Sequence, residues 1–119
     1  MAKILIIDDE ELTLDMLATF LQISGHEPIT AIDSRQGWSK LEFEEPEAIL
    51  LDIQLPDTNG LIMCRQLRDN PDMADVPIIM ISAHAPPMIR EAEAAGADGY
   101  LMKPINLLNL QTTLAKFIA

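Results

Sequence analysis

The run Ala48-Ile-Leu-Leu51 constrains the fold of this chain more than any other stretch. A strand that buries one face alternates apolar with polar residues, whereas four apolar residues in succession indicate a strand buried on both faces. Lys3-Ile-Leu-Ile-Ile7 and Val76-Pro-Ile-Ile-Met-Ile81 repeat the pattern. Strands covered on both faces are typical of a parallel sheet that lies between two layers of helices.

Segments with helical periodicity separate the apolar runs. Leu14, Leu17 and Leu21 recur at helical spacing, and Gly25 is the residue usually found just past a helix end. The predicted strands are Lys3–Ile7, Glu27–Ala31, Ala48–Asp52, Val76–Ile81 and Gly99–Met102. The predicted helices run from Glu11 to before Gly25, from Asp33 or Ser34 to about Glu44, from about Gly60 to Asp69, from Pro86 to before Gly96, and from about Asn106 onward. This alternation predicts an α/β fold of the flavodoxin-like, doubly wound type: a five-stranded parallel sheet in the order 2-1-3-4-5 with five helices, and residues 1–119 as a single domain.

The charge of the chain excludes several function classes. Of 119 residues, 19 are acidic and 8 are Lys or Arg, which gives a formal net charge of −11. Phosphate backbones and anionic membrane surfaces repel such a chain, so we expect no direct nucleic-acid or membrane partner. One cysteine, Cys64, excludes a disulfide within the chain and a metal site built on cysteines alone. The N-terminal apolar run is too short for a signal peptide and no stretch can span a membrane, so we expect a cytoplasmic protein.

Four of the predicted strands have a polar side chain at or just beyond their carboxyl ends. Asp8 and Asp9 follow the first strand, Asp52 ends the third, Ser82 follows the fourth and Lys103 follows the fifth. Ligands of open parallel sheets bind beyond the carboxyl ends of the strands, so we expect these side chains to face one crevice. Each also has an ordinary alternative, since strand-end Asp residues often cap turns and a single lysine is usually a surface charge. Their shared place at one rim favours a functional site.

Three carboxylates at one rim repel one another, and they stay ionised at neutral pH only if a cation lies among them. Mg2+ is the predicted cofactor, because it prefers hard oxygen ligands and keeps positions for water and a phosphate oxygen. No His or Cys cluster offers ligands for a softer metal. We predict that Mg2+ binds Asp9 and Asp52 and that Asp52 becomes an aspartyl phosphate. Lys103 would pair with one phosphoryl oxygen, and Ser82 would donate to another.

Four motifs span nearly the whole chain: Ile6-Ile7-Asp8-Asp9-Glu10, Leu51-Asp52-Ile-Gln-Leu-Pro56-Asp-Thr-Asn-Gly60, Ile81-Ser82-Ala83 and Gly96-Ala-Asp-Gly-Tyr100-Leu-Met-Lys103-Pro104. In this order they resemble the response-regulator receiver domain of two-component signalling, in its chemotaxis-regulator-like form. The resemblance implies that Asp52 accepts a phosphoryl group from a sensor histidine kinase or a histidine phosphotransfer protein. It implies a signalling role rather than an enzyme, with no chemistry beyond the domain's own phosphorylation and dephosphorylation.

The resemblance also implies a set of metal ligands. Asp8, Asp9 and Asp52 would bind Mg2+, one of the first two through water, and the backbone carbonyl of Gln54 would be a further ligand. The side chains of Gln54 and His84 flank the expected phosphoryl site. By the same resemblance they would tune how fast the phosphate is hydrolysed.

A switch is implied in the same way. Lys103, Ser82 and the backbone of Ala83 would stabilise the phosphoryl group, and the Lys103–Pro104 peptide bond would be cis. Phosphate would draw the Ser82 hydroxyl inward, and Tyr100 would turn from solvent into the vacated space. The surface formed by the fourth helix, fifth strand and fifth helix would then change and bind a downstream effector.

Three other interpretations remain open. A haloacid-dehalogenase-like phosphatase also uses a strand-end Asp with Mg2+, but it usually needs a second Asp two residues on, where this chain has Gln54. A flavin-binding flavodoxin shares the layout, but Asp8-Asp9-Glu10 would repel its phosphate. A receiver-shaped adaptor would bind partners without phosphorylation, and no residue is missing from the expected site to favour it.

Overall fold

The computed structural model describes residues 2–118, which form five strands and five helices. The strands are β1 (Lys3–Ile7), β2 (Glu27–Ala31), β3 (Ala48–Asp52), β4 (Ile78–Ser82) and β5 (Gly99–Met102). The helices are α1 (Glu11–Ile23), α2 (Ser34–Phe43), α3 (Gly60–Asp69), α4 (Ile89–Ala94) and α5 (Leu107–Ala115). None of these helices is long and apolar enough to cross a membrane.

The sheet has the order β2-β1-β3-β4-β5, and each neighbouring pair of strands is parallel. This order confirms the predicted flavodoxin-like topology. In the register, Ile7 pairs with Leu51 and Asp52 pairs with Ile81, so the three central strands end at nearly the same level. Polar residues at and just beyond these positions therefore share one edge of the sheet.

Both faces of the sheet are buried. Ile4 and Ile6 of β1 pack with Leu14 and Leu17 of α1 and with Leu110 of α5. The alternate residues of the same strand pack on the opposite face with apolar residues of α2, α3 and α4. Each buried aliphatic side chain stabilises the fold by about 1.5–3 kcal/mol relative to an exposed one. This two-sided burial explains the unbroken apolar runs in the sequence.

Strand β4 begins at Ile78, two residues later than the sequence pattern predicted. Pro77 has no N–H to donate to a ladder. The carbonyl of Val76 accepts a hydrogen bond from Arg68 Nη1 at 2.6 Å. Val76 is therefore held by a side chain of α3, and the bonding to β3 begins where the Pro77 carbonyl accepts the N–H of Ile49 at 2.9 Å.

Helix α4 is also shorter than predicted, because it begins at Ile89 rather than at Pro86. Its first turn has no capping side chain at Met88. The N–H of Met88 instead donates to Tyr100 Oη at 3.0 Å. A tertiary contact with β5 thus sets where this helix starts.

Candidate functional site

Three strand ends meet around the amino group of Lys103. Its Nζ atom lies 2.8 Å from Asp8 Oδ2, 3.1 Å from Asp52 Oδ2 and 2.5 Å from Glu10 Oε1. The backbone N–H of Lys103 donates to the Ser82 carbonyl at 2.8 Å, which fixes the start of the β5–α5 loop beside β4. The side chain of Lys103 therefore reaches from β5 across β4 to the ends of β3 and β1. The convergence predicted for Asp8, Asp52 and Lys103 is confirmed.

The two buried carboxylates are each held by the backbone of the loop that follows them. The N–H of Glu10 donates to Asp8 Oδ1 at 2.8 Å, and the N–H of Gln54 donates to Asp52 Oδ1 at 3.1 Å. Asp8 is fully buried, and Asp52 is 3% exposed. In both residues Oδ1 accepts the backbone N–H of the residue two positions later, and Oδ2 contacts the Lys103 amino group.

Burial, and after it the charge of Asp8, raise the pKa of Asp52 to about 6, against the opposing effects of the Gln54 N–H and Lys103. Burial alone would lower the pKa of Lys103. Contacts with Asp8 and Glu10 and the charge of Asp52 outweigh that effect, so the pKa of Lys103 is raised. One ammonium group is shared among three carboxylates, and the charge of Asp8 adds to burial in raising the pKa of Asp52, so the negative charge of the cluster is not fully offset. The cluster therefore favours an additional cation.

The donor atoms fit Mg2+. Within residues 2–118, Asp8 Oδ2 is the buried side-chain atom that has no hydrogen-bond partner. Its 2.8 Å contact with Lys103 is an ion pair without hydrogen-bond geometry. Carboxylate oxygens of Asp8, Glu10 and Asp52 lie within 4.8 Å of one another. An oxygen-only set that includes an unsatisfied buried carboxylate oxygen is what Mg2+ prefers.

The structure brings Glu10 into this cluster, which the sequence analysis missed. The signal was present, because Glu10 is the third acidic residue of the Asp8-Asp9-Glu10 motif. Asp9 is exposed and lies outside the group of converging oxygens. The roles of Asp9 and of the Gln54 backbone carbonyl as metal ligands stay predictions.

Ser82 lies beside Asp52 on the neighbouring strand. Asp52 pairs with Ile81, so Ser82 is one residue nearer the carboxyl edge of β4. Ser82 is fully buried, and its Oγ accepts the N–H of His84 at 2.9 Å. His84 Nδ1 lies 2.8 Å from the Pro86 carbonyl oxygen. The predicted roles of Ser82, His84 and the Ala83 backbone toward phosphate stay predictions.

The loop from Asp52 to α3 turns tightly at Gly60. The N–H of Gly60 donates to the Ile53 carbonyl at 2.6 Å, and Gln54 pairs with Asn59 in an isolated bridge. A Cβ atom at Gly60 would lie 2.1 Å from the carbonyl oxygen of Asp52. The turn therefore requires glycine at position 60, because backbone approaches backbone.

Tyr100 is partly buried, and its ring packs against the apolar cluster on the α2, α3 and α4 side of the sheet. Its hydroxyl accepts the Met88 N–H, so it is tied to the start of α4. Its predicted rotation stays a prediction. The Lys103–Pro104 peptide bond is cis, as the resemblance implied, and Ala85–Pro86 is cis as well.

Comparison with known proteins agrees with this geometry. Residues 4–115 match the family model of the response regulator receiver domain. The alkaline phosphatase synthesis transcriptional regulatory protein PhoP of Bacillus subtilis is 38% identical over 105 residues, which cover 87% of this chain and 43% of that protein. Response regulator MprA of Mycolicibacterium vanbaalenii is 36% identical over 109 residues, which cover 91% of this chain and 46% of that protein. The chain thus spans less than half the length of these curated relatives.

Two solved structures are similar over nearly the whole chain. Chemotaxis response regulator CheY4 of Vibrio cholerae has a TM-score of 0.91 and 31% identity, with 99% of each chain covered. The receiver domain of sensor histidine kinase PA1611 from Pseudomonas aeruginosa has a TM-score of 0.88 and 29% identity, with 98% of this chain and 96% of that chain covered. The second structure contains a magnesium ion coordinated in its active site cleft.

Proposed function

The chain belongs to the family of response regulator receiver domains, and from this premise we propose that Asp52 is the phosphoacceptor of a two-component phosphorelay. The observation that carries the proposal is the surroundings of Asp52. Its carboxylate is 3% exposed at the end of a central strand, 3.1 Å from a lysine amino group. A second buried carboxylate, Asp8, contacts the same amino group. Purely structural packing does not explain two buried carboxylates at one sheet edge.

The proposed reaction is a phosphoryl transfer from a phosphohistidine of a sensor kinase or a histidine phosphotransfer protein. An oxygen of the Asp52 carboxylate attacks phosphorus, a P–O bond forms, and the P–N bond breaks with its electron pair left on the imidazole. Lys103 would pair with one phosphoryl oxygen. The hydroxyl of Ser82 and the N–H of Ala83 would donate to another.

Mg2+ is the proposed cofactor. Asp8, Asp9, Asp52 and the backbone carbonyl of Gln54 would hold it, and Glu10 lies close enough to the same oxygens to contribute. When bound, the ion supplies positive charge that offsets the carboxylates and the phosphoryl oxygens. The unsatisfied Oδ2 atom of Asp8 supports this assignment.

Ser82 and Tyr100 are the proposed switch residues. If the Ser82 hydroxyl turned toward a phosphoryl oxygen, the His84 N–H would lose the acceptor it has now, and the segment between β4 and α4 would move. Because the Tyr100 hydroxyl accepts a hydrogen bond from the Met88 N–H at the start of α4, that movement would reach the surface formed by α4, β5 and α5. Gln54 and His84 flank the acceptor and would set the lifetime of the phosphate.

Exposed apolar side chains lie beside the rim and offer a docking surface for the phosphodonor. Leu12 is 85% exposed and Met16 is 39% exposed. A shallow groove lined by Leu12, Met16 and Pro104 adjoins Lys103. Exposed apolar surface next to a reactive site is typical of a protein contact. We therefore place the kinase or phosphotransfer protein on this side of the domain.

The downstream effector would bind the surface formed by α4, β5 and α5, where Ile89 and Met102 are about half exposed. The net charge of −11 disfavours direct contact of this domain with nucleic acid or membrane. The relatives named as transcriptional regulators extend well beyond the matched segment. A histidine kinase draws on ATP, so the proposed site of action is the cytoplasm.

The proposal is tested by incubating the protein with acetyl phosphate, with and without Mg2+, and measuring its intact mass beside that of Asp52→Asn. We expect a phosphate adduct that requires Mg2+ and is lost in the variant. An adduct that persists in Asp52→Asn would move the acceptor to another residue. A folded protein without any adduct would favour a receiver-shaped adaptor, whose partner binding Asp52→Asn would leave unchanged.

A further inference from the structure

Asp57 joins the loop after Asp52 to the first turn of α2. Its Oδ1 accepts the N–H of Ser34 at 3.1 Å, and its Oδ2 accepts the Ser34 hydroxyl at 2.7 Å and the Arg35 N–H at 3.1 Å. These partners lie more than twenty residues away in sequence. Within residues 2–118, these are the side-chain hydrogen bonds that tie this loop to a helix other than α3, the helix it leads into.

The first turn of a helix presents N–H groups without partners inside the helix, and it favours negative charge. At α2 two carboxylates accept hydrogen bonds from these N–H groups. Asp33 Oδ1 accepts the N–H of Gln36 at 2.8 Å, and Asp57 takes the N–H groups of Ser34 and Arg35. The hydrogen bonds from Ser34 and Arg35 lower the pKa of Asp57, with the Ser34 hydroxyl as the main cause. Asp57 is therefore ionised and matched to this helix end at neutral pH.

A role limited to stability does not suit Asp57 well. Its carboxylate is exposed, and charge interactions at an exposed site are weak. The contact between Asp57 and α2 instead fixes the position of the loop. Gln54 and Asn59 pair with each other near the base, and Asp57 lies between them, at the outer part of the loop. The loop is thus held at its base by β3 and α3 and at its outer part by α2.

We propose that Asp57 is a positioning residue, which holds the loop against α2 so that the backbone carbonyl of Gln54 stays beside Asp52. The proposal rests on the function assigned above, because the loop matters only if it carries a ligand for Mg2+ and a residue that flanks the phosphate. Partners that orient a metal ligand without touching the metal commonly change metal affinity by about 10–100-fold when they are removed. Asp57 acts through Gln54 in the same manner.

The test compares Asp57→Ala with Asp33→Ala. Both variants remove a carboxylate from the N-terminus of α2, but only the first releases the loop. The dissociation constant of Mg2+, measured by isothermal titration calorimetry, is expected to rise about tenfold in Asp57→Ala and to stay at the wild-type value in Asp33→Ala. Asp57→Asn keeps one acceptor oxygen for the α2 N–H groups and should recover part of the affinity.

A second measurement does not depend on the metal. In the metal-free protein, hydrogen exchange of the amides in residues 54–58 should be faster in Asp57→Ala than in the wild type, and unchanged in Asp33→Ala. The positioning role would be overturned if Asp57→Ala bound Mg2+ as tightly as the wild type does. It would also be overturned if the two Ala variants lost Mg2+ affinity equally. Wild-type protein that forms no adduct with acetyl phosphate would overturn the phosphoacceptor assignment instead, and the exchange rates would still decide the role of Asp57 in the loop.

Discussion

Replacement of Asp52 by Asn is expected to stabilise the fold while it removes the phosphoacceptor. The pKa of Asp52 is raised from 3.8 to about 6, chiefly by burial and then by Asp8. One unit of pKa corresponds to about 1.4 kcal/mol, so the ionised carboxylate costs the native state at most about 3 kcal/mol at neutral pH. Asn keeps an acceptor for the Gln54 N–H but loses the charge pair with Lys103. We therefore expect a net gain of about 1–2 kcal/mol in the free energy of unfolding.

The gain depends on pH in a defined direction. The native protein retains the Asp52 proton between pH 3.8 and about 6, where the unfolded chain has already released it. The wild type therefore loses stability as the pH rises through this window, whereas Asp52→Asn does not. The advantage of the variant should be complete at pH 7 and absent below the lower limit of the window.

Urea unfolding in the presence of EDTA, followed by far-ultraviolet circular dichroism, measures the effect. Small proteins lose about 1–3 kcal/mol of stability per molar urea, so the midpoint should rise by about 0.5–1 M at pH 7. Asp57→Asn is a matched control, because it removes an exposed carboxylate and should not raise the midpoint. The reasoning is refuted if Asp52→Asn gains nothing at pH 7, or gains equally in acid.

Mg2+ at ten times its dissociation constant should raise the free energy of unfolding of the wild type by about 1.4 kcal/mol. The gain should be smaller in Asp52→Asn, which lacks one of the proposed ligands. Equal gains in the same urea titration would contradict a Mg2+ site that includes Asp52. Gly60→Ala should cost at least about 1–3 kcal/mol, because its Cβ would lie 2.1 Å from a backbone oxygen, and a thermal melt like that of the wild type would contradict this. Gly37→Ala is its control, since the nearest atom there is the terminal methyl group of Ile7 and not a backbone oxygen, and the loss should be smaller. Tyr100→Phe should accelerate hydrogen exchange of the Met88 amide, which loses its acceptor, whereas an unchanged rate would show that the hydroxyl does not hold the start of α4.

The sheet and the central residues of the site could be predicted from the sequence because their signals are local. An apolar run buried on both faces predicts a central strand, and a carboxylate at its end predicts a group at the sheet edge. The convergence of Asp8, Asp52 and Lys103 then follows from parallel topology alone.

Other features depend on contacts between distant segments, which local patterns do not encode. Pro86-Pro87 is a good helix start by composition, but α4 begins later because Tyr100, far along the chain, holds the N–H of Met88. The tie between Asp57 and Ser34 likewise joins two separate loops. The presence of Glu10 in the cluster depends on how the Asp8 loop turns, which the run of three acidic residues leaves undecided.

The measurement that tests the central claim most directly is the location of the acyl phosphate. Protein phosphorylated with acetyl phosphate in Mg2+ is reduced with borohydride, which converts an aspartyl phosphate to homoserine, and the product is sequenced by tandem mass spectrometry. The account predicts homoserine at position 52 and at no other carboxylate of the cluster. Homoserine at another position, or none in a protein shown to be folded and bound to Mg2+, would contradict it.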